Sequence, residues 1–298
     1  MLTFLHPLFR TLFLFRFTAK PHCSMLLQTS TLQLFRPKEA DSLYRFLDLV
    51  QACNEHSQAT QLRYVFDGAK FNDYVSAEEL KQAFAELEKH WSDGDFDRDV
   101  ILSTGKDTSL FTLVHTDPFE YTNEDNAAFS FRSGKPLLQP EGHFSYDEFH
   151  RFFVTAINAY KARYAAVYDT ELETLISFAS FYGEVEMDEE ISTPDIVVKT
   201  PEHLTARIGK VMAPGLFDPL EIPPAIYWFN YWNEDQVKTV GEDKIKQAAF
   251  EVIEKLPGGG YILIVQKENF DPHNTAHLEK LAALYDYFDL YTLQQTAS

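Results

Sequence analysis

Cysteine is nearly absent, with only Cys23 and Cys53 in 298 residues. No CxxC pair or Cys/His cluster occurs, so neither a disulfide framework nor a structural zinc is expected. No apolar run reaches the roughly 20 residues that a membrane-spanning helix needs. Basic residues are scarce as well: 26 Lys+Arg against 45 Asp+Glu give a formal charge of −19. A field of that sign repels nucleic-acid phosphates and anionic lipid and attracts cationic partners. Direct nucleic-acid and membrane binding are therefore not expected. An acidic surface also simply keeps a cytoplasmic protein soluble, and both readings stand at this point.

What the chain does have is apolar bulk: 45% hydrophobic and 15% aromatic residues, with 26 Phe and 15 Tyr. Disordered chains lack such content, so a packed core is expected. Residues 1–24 are Phe/Leu-rich and free of acids, with Arg10, Arg16 and Lys20 interrupting the apolar letters. A secretory signal would keep its charge ahead of an unbroken apolar core and end in a small-residue cleavage site. Residues 1–24 are read as an over-extended start, with Met25 as the true one, or as an ordered or targeting leader; the first is preferred.

From Met25 onward two hydrophobic periods alternate. Leu26–Phe35 reads as a half-buried strand, with Leu32 and Leu34 opposed to Thr31 and Gln33. After Pro37, Leu43, Phe46, Leu47 and Val50 fall on one helical face. Leu62–Phe66 is a short strand. Ser76 and Glu79 form a capping box for a helix carrying Leu80, Ala83, Phe84, Leu87 and Trp91. Val100–Ser103, Leu110–His115 and Ala127–Arg132 form a meander. A second capping box, Ser145 with Glu148, opens a helix rich in Phe and Tyr that could run to about Tyr168. Leu175–Val185 and Ile196–Val198 look strand-like, and Thr200-Pro201 starts a short helix.

In the last third, Ala225–Trp232 is an aromatic strand candidate, and Asn233 with Gln236 caps a short helix ended by Gly241. Ala249–Leu256 fits helix or strand; the Pro257–Gly260 break before Tyr261–Gln266 favours a hairpin. Thr275–Phe288 is the final helix. Strands and helices mix without a βαβ rhythm. The expected class is α+β, with mainly antiparallel sheet packed with helices. Two αβ subdomains, 25–175 and 176–298, are expected to share one globular unit.

Several motifs point to chemistry. Asp93-x-Asp95-x-Asp97 resembles the start of a calcium loop, but Arg98 and Thr104 stand where an EF-hand needs Gly and a bidentate Glu. His273 and His277 are four apart, yet no HExxH is present, and a helix-capping segment explains them better. Gly258–Gly260 lack the Lys-Ser/Thr of a phosphate loop, and no GxSxG occurs. Carboxylate pairs such as Glu171/Glu173 and Glu189/Glu190 are common by chance among 45 acids. No catalytic residue, metal site or cofactor is assigned.

Two features remain as candidates for partner binding. Glu86–Asp99 holds six acids against two bases, including Asp93, Asp95, Asp97 and Asp99; Glu184, Glu186, Asp188, Glu189 and Glu190 follow later with no base among them. The other feature is Tyr227–Trp232. On a strand, Tyr227, Phe229 and Tyr231 face one side and Trp228, Asn230 and Trp232 the other. One set is core. The second packs under helices or, if exposed, has the make-up of an interface hot spot; Trp228 and Trp232 are its candidate anchors.

Pro224–Trp232, Gly241, Leu256-Pro257-x-Gly259 and Phe270-Asp271-x-x-Asn274-x-x-His277-Leu278 together resemble a family of bacterial immunity proteins. That family is encoded beside polymorphic toxins, including restriction-endonuclease-type nucleases delivered by type VI secretion. The resemblance covers about residues 220–290. It implies a cytoplasmic, non-enzymatic protein that binds and neutralises a cognate toxin, and it transfers no catalytic residue. An acidic inhibitor suits a nuclease toxin, whose substrate surface must be basic. The alternatives are a hydrolytic or metal-assisted enzyme using acidic and His residues, or a non-inhibitory adaptor.

Overall fold

The computed structural model describes residues 29–37, 39, 41–66, 71–73, 78–79, 81–82, 100–105, 111–116, 124–132, 136–139, 142–182, 193–212 and 216–297. The expectations for residues 1–24 and for most of the helix after Ser76 lie outside them. Contacts divide the chain into two compact units, one ending at Val167 and the other running from Tyr168 to the C-terminus. Antiparallel strands and packed helices make the fold α+β.

In the first unit, β1 (Thr29–Pro37), β2 (Tyr64–Phe66), β3 (Phe71–Asp73), β4 (Val100–Ser103), β5 (Phe111–Thr116) and β6 (Glu124–Arg132) lie in the order β3-β2-β4-β5-β6-β1. Each neighbouring pair is antiparallel. The β1–β6 register runs from Thr29↔Arg132 to Pro37↔Glu124. It places Leu32 opposite Phe129 and Leu34 opposite Ala127, all fully buried. The strand is not half-exposed as its alternation suggests, because Gln33 on the other face is only 3% exposed.

Helices α1 (Ser42–His56) and α2 (Tyr146–Tyr160) pack on each other. The α1 stripe consists of Phe46, Leu49, Val50 and Cys53, which are buried; Leu47 is intermediate. The α2 cap forms as read: Ser145 Oγ accepts the Glu148 amide, and Glu148 Oε2 accepts the Ser145 amide at 2.8 Å. The Phe129–Phe152 and Phe131–Phe149 ring centroids lie 5.4 and 5.8 Å apart, locking α2 to β6. Each such ring contributes about 2–3 kcal/mol by burial.

Helix α2 stops well before Tyr168. Lys161 turns left-handed at φ 52°, and Tyr164–Asp169 is a fully buried strand, β7, lying beside β1. Tyr-Ala-Ala-Val-Tyr suits either state locally, and partners distant in sequence decide it. The expected strand at Leu175–Val185 is also corrected. Residues 170–182 form helix α3 (Thr170–Tyr182), and Ile196–Val198 lies in helix α4 (Asp195–Lys199).

The second unit continues with α5 (Glu202–Thr205), β8 (Phe229–Trp232), α6 (Glu234–Val240), α7 (Glu242–Lys246), β9 (Val252–Lys255), β10 (Tyr261–Ile264), α8 (Thr275–Phe288) and α9 (Leu290–Ala297). Its sheet is antiparallel in the order β8-β10-β9, and the β9–β10 hairpin is the one expected. A Cβ at Gly260 would stand 2.6 Å from the Tyr231 ring and 2.7 Å from the Trp232 carbonyl, so the turn needs glycine.

Candidate functional site

The structure separates the expected partner-binding residues into two groups. Asp93, Asp95, Asp97, Asp99, Glu184, Glu186, Asp188, Glu189 and Glu190 lie outside the described residues. Trp228 and Trp232 are described, and both are interior, at 3% and 0% exposure. As surface anchors they are corrected. Trp228 Nε1 donates to the Gln266 carbonyl at 2.8 Å, and the Trp232 ring meets Phe250 and Phe288 edge-on at 6.3 and 5.2 Å. Strand β8 is buried on both faces, because apolar residues flank it on each side.

The polar residues of the Pro224–Leu278 motifs hold the backbone of this interior. Asn230, fully buried, accepts the Tyr227 amide at 2.8 Å and donates to the carbonyls of Tyr227 and Leu263. Asn233 accepts the amides of Asp235 and Gln236, as the sequence reading expects. The same two capping side chains reach back, Asn233 to the Leu220 carbonyl and Gln236 to the Pro219 carbonyl. Asn274 caps α8, and His277 Nδ1 accepts the Asp271 amide at 3.0 Å. His277 is thus part of a capping segment, with its proton affinity lowered by burial. Among the described residues, no group of three or more His, Cys, Asp or Glu is placed to hold a metal ion.

One cluster of ionisable groups stands apart, at the start of α3. Asp169 Oδ1 accepts the Glu171 amide at 2.8 Å and caps the helix. Glu171 Oε2 lies 2.7 Å from His273 Nε2, just before α8. Burial pushes the Asp169 carboxyl up to about 6; the Glu171 amide opposes the rise, the Glu171 charge adds to it, and His273 opposes it. Four residues on, Glu173 is 1% exposed. Burial lifts its carboxyl to about 7, and the Ser177 hydroxyl at 2.6 Å holds it lower than burial alone would.

The sequence paired Glu171 with Glu173 only as chance neighbours. Asp169 followed by two acids in the next turn is an N-cap signal, and it could have marked this helix start. The contact with His273, 102 positions away, left no local trace. The arrangement offers a half-exposed His–Glu pair and two buried carboxyls that resist ionisation.

No family model and no curated protein matches this chain. Among solved structures, it is similar to a Pseudomonas aeruginosa T6SS protein, PA0821, at 10% identity and a TM-score of 0.47. That alignment covers 88% of this chain and 83% of the other. A likeness at this level carries no argument about function.

Proposed function

We propose that this chain is an immunity protein that binds a cognate bacterial toxin and blocks its active or substrate-binding surface, with a nuclease effector as the toxin. One observation carries the reading. Most of the residues that resemble the immunity family form an interior framework around Asn230 and Trp228, braced by Tyr285, rather than a solvent-facing set of reactive groups. A scaffold of that kind leaves contact chemistry to the rest of the chain, where acids outnumber bases. A formal charge of −19 steers the chain to a basic partner and raises the association rate. The role requires no catalysis and no cofactor.

The test is reconstitution with the product of the neighbouring toxin gene. Co-expression should restore growth, and the purified pair should co-elute and lose nuclease activity on plasmid DNA. Failure to form a complex, with both proteins folded, overturns the proposal.

A hydrolytic reading draws on the Glu171–His273 pair beside Asp169. It predicts that toxin neutralisation fails in the Glu171→Gln and His273→Gln variants although the complex still forms. The immunity reading predicts full neutralisation by both.

A further inference from the structure

Helix α3 carries a carboxyl group with no partner for half of its charge. Glu173 is 1% exposed; its Oε1 accepts the Ser177 hydroxyl at 2.6 Å, and its Oε2 has no hydrogen-bond partner. Ser177 is itself only 8% exposed. Holding an ionised carboxylate in such a place is costly, whereas burying a hydrogen-bonded neutral carboxylic acid costs far less.

The charged groups of the described elements around α3 are engaged elsewhere. On α3 itself, Asp169 caps the helix and Glu171 faces His273. On α4, which packs against α3, Asp195 and Lys199 lie 3.8 Å apart at the surface. The 206–212 segment approaches α3 at Gly209, where a Cβ would stand 2.9 Å from Ile176 Cα. Its Arg207 pairs with Asp286 at 2.6 Å, and its Lys210 is exposed. Tyr168 is the titratable group that feels Glu173, and its own ionisation is suppressed first by burial and then by that carboxyl. No cation offsets Glu173 among these groups.

We propose that Glu173 makes the seating of α3 depend on a proton: with the carboxyl neutral the helix stays packed, and with it ionised the helix opens toward water. The lift of the carboxyl from 4.5 to about 7 agrees with that geometry. The seated state keeps the proton more tightly than the opened one. Between about pH 4.5 and 7 the opening constant therefore rises up to about tenfold per pH unit, and above about pH 7 it levels off. Asp169 acts in the same sense, but its rise flattens through about pH 6. From pH 6 to 7, Glu173 contributes about fivefold and Asp169 about twofold. Helix α3 immediately precedes the acid-rich Glu184–Glu190 run in sequence, so the device adjoins a segment assigned above to partner contact. It does not rest on that assignment.

Hydrogen–deuterium exchange of the α3 amides in the full-length chain tests it, with rates corrected for intrinsic exchange chemistry. In the parent protein, opening should increase about tenfold from pH 6 to 7. In Glu173→Gln only the residual rise of about twofold due to Asp169 should remain over that interval. Asp169 is retained in both proteins, so its titration cancels in the comparison. Ser177→Ala removes the bond that favours the ionised form and should move the plateau to higher pH. An equal rise in the Glu173→Gln protein overturns the proposal. Should that variant fail to fold, an unmoved plateau in Ser177→Ala overturns it instead.

Discussion

The hydroxyl of Tyr285 accepts the Ile226 amide at 3.1 Å and donates to the Ile226 carbonyl at 3.2 Å, so one side chain of α8 satisfies both backbone groups of a buried residue 59 positions earlier. Burial raises the Tyr285 phenol well above its ordinary value, and the hydroxyl keeps its proton at any physiological pH. Tyr285→Phe removes both bonds and strands an N–H and a C=O in the interior. The expected loss is about 3 kcal/mol, measured as a lower urea midpoint with an unchanged m-value.

Trp232 has no exposed surface, and its Nε1 has no hydrogen-bond partner. Its contribution is therefore packing. Trp232→Ala should cost about 4 kcal/mol of stability, and Trp232→Phe about 1–2 kcal/mol, since Phe leaves a smaller void and no orphaned donor. A surface anchor would behave otherwise: truncation would leave the unfolding midpoint in place and weaken partner binding instead. Thermal unfolding of the two variants separates these cases.

Asn230 serves three backbone groups, two on Tyr227 just before β8 and one on Leu263 in β10. Asn230→Leu preserves volume but deprives those groups of their partner, and it should destabilise by about 3 kcal/mol. Asn230→Asp keeps the acceptor for Tyr227 and loses the donors while adding a buried charge. It should be at least as damaging at pH 7 and recover partly at pH 4, which urea melts at the two pH values would show.

Asp169 is held neutral more readily than a free aspartate, with its carboxyl lifted from 3.8 to about 6 by burial. A raised folded-state value means that its stabilising contribution is complete below about pH 4 and is lost as pH rises through about 6. Asn caps a helix as well as Asp does. Asp169→Asn should therefore be more stable than the parent by about 3 kcal/mol at pH 7.5, and the difference should vanish near pH 4. Urea melts of both proteins across that range measure it, and a constant difference would contradict the expected sign.

Charge reversal tests the electrostatic part of the proposed role. Replacing Asp93, Asp95, Asp97 and Asp99 by Lys, or Glu184, Glu186, Asp188, Glu189 and Glu190 by Lys, should slow association with the toxin by roughly tenfold or more at low salt and flatten its salt dependence. Stopped-flow measurements at two ionic strengths would show it. If neither cluster changes the rate, steering by these acids is excluded while the inhibitory role is left standing.

The sequence by itself determined the elements that close their own hydrogen bonds locally. The Ser145/Glu148 and Asn233/Gln236 capping boxes, the β9–β10 hairpin and the Thr275–Phe288 helix were legible because cap, turn and periodicity sit within a few residues of one another. Tertiary structure alone decided the remainder. Tyr164–Asp169 became strand through its place beside β1, and residues 170–182 became helix behind a cap whose apolar letters fit either state. Trp228 and Trp232 became core because burial on both faces of β8 depends on partners far along the chain. The Glu171–His273 pair and the bare oxygen of Glu173 belong to the same class, since burial and long-range proximity are properties of the fold that no local pattern encodes.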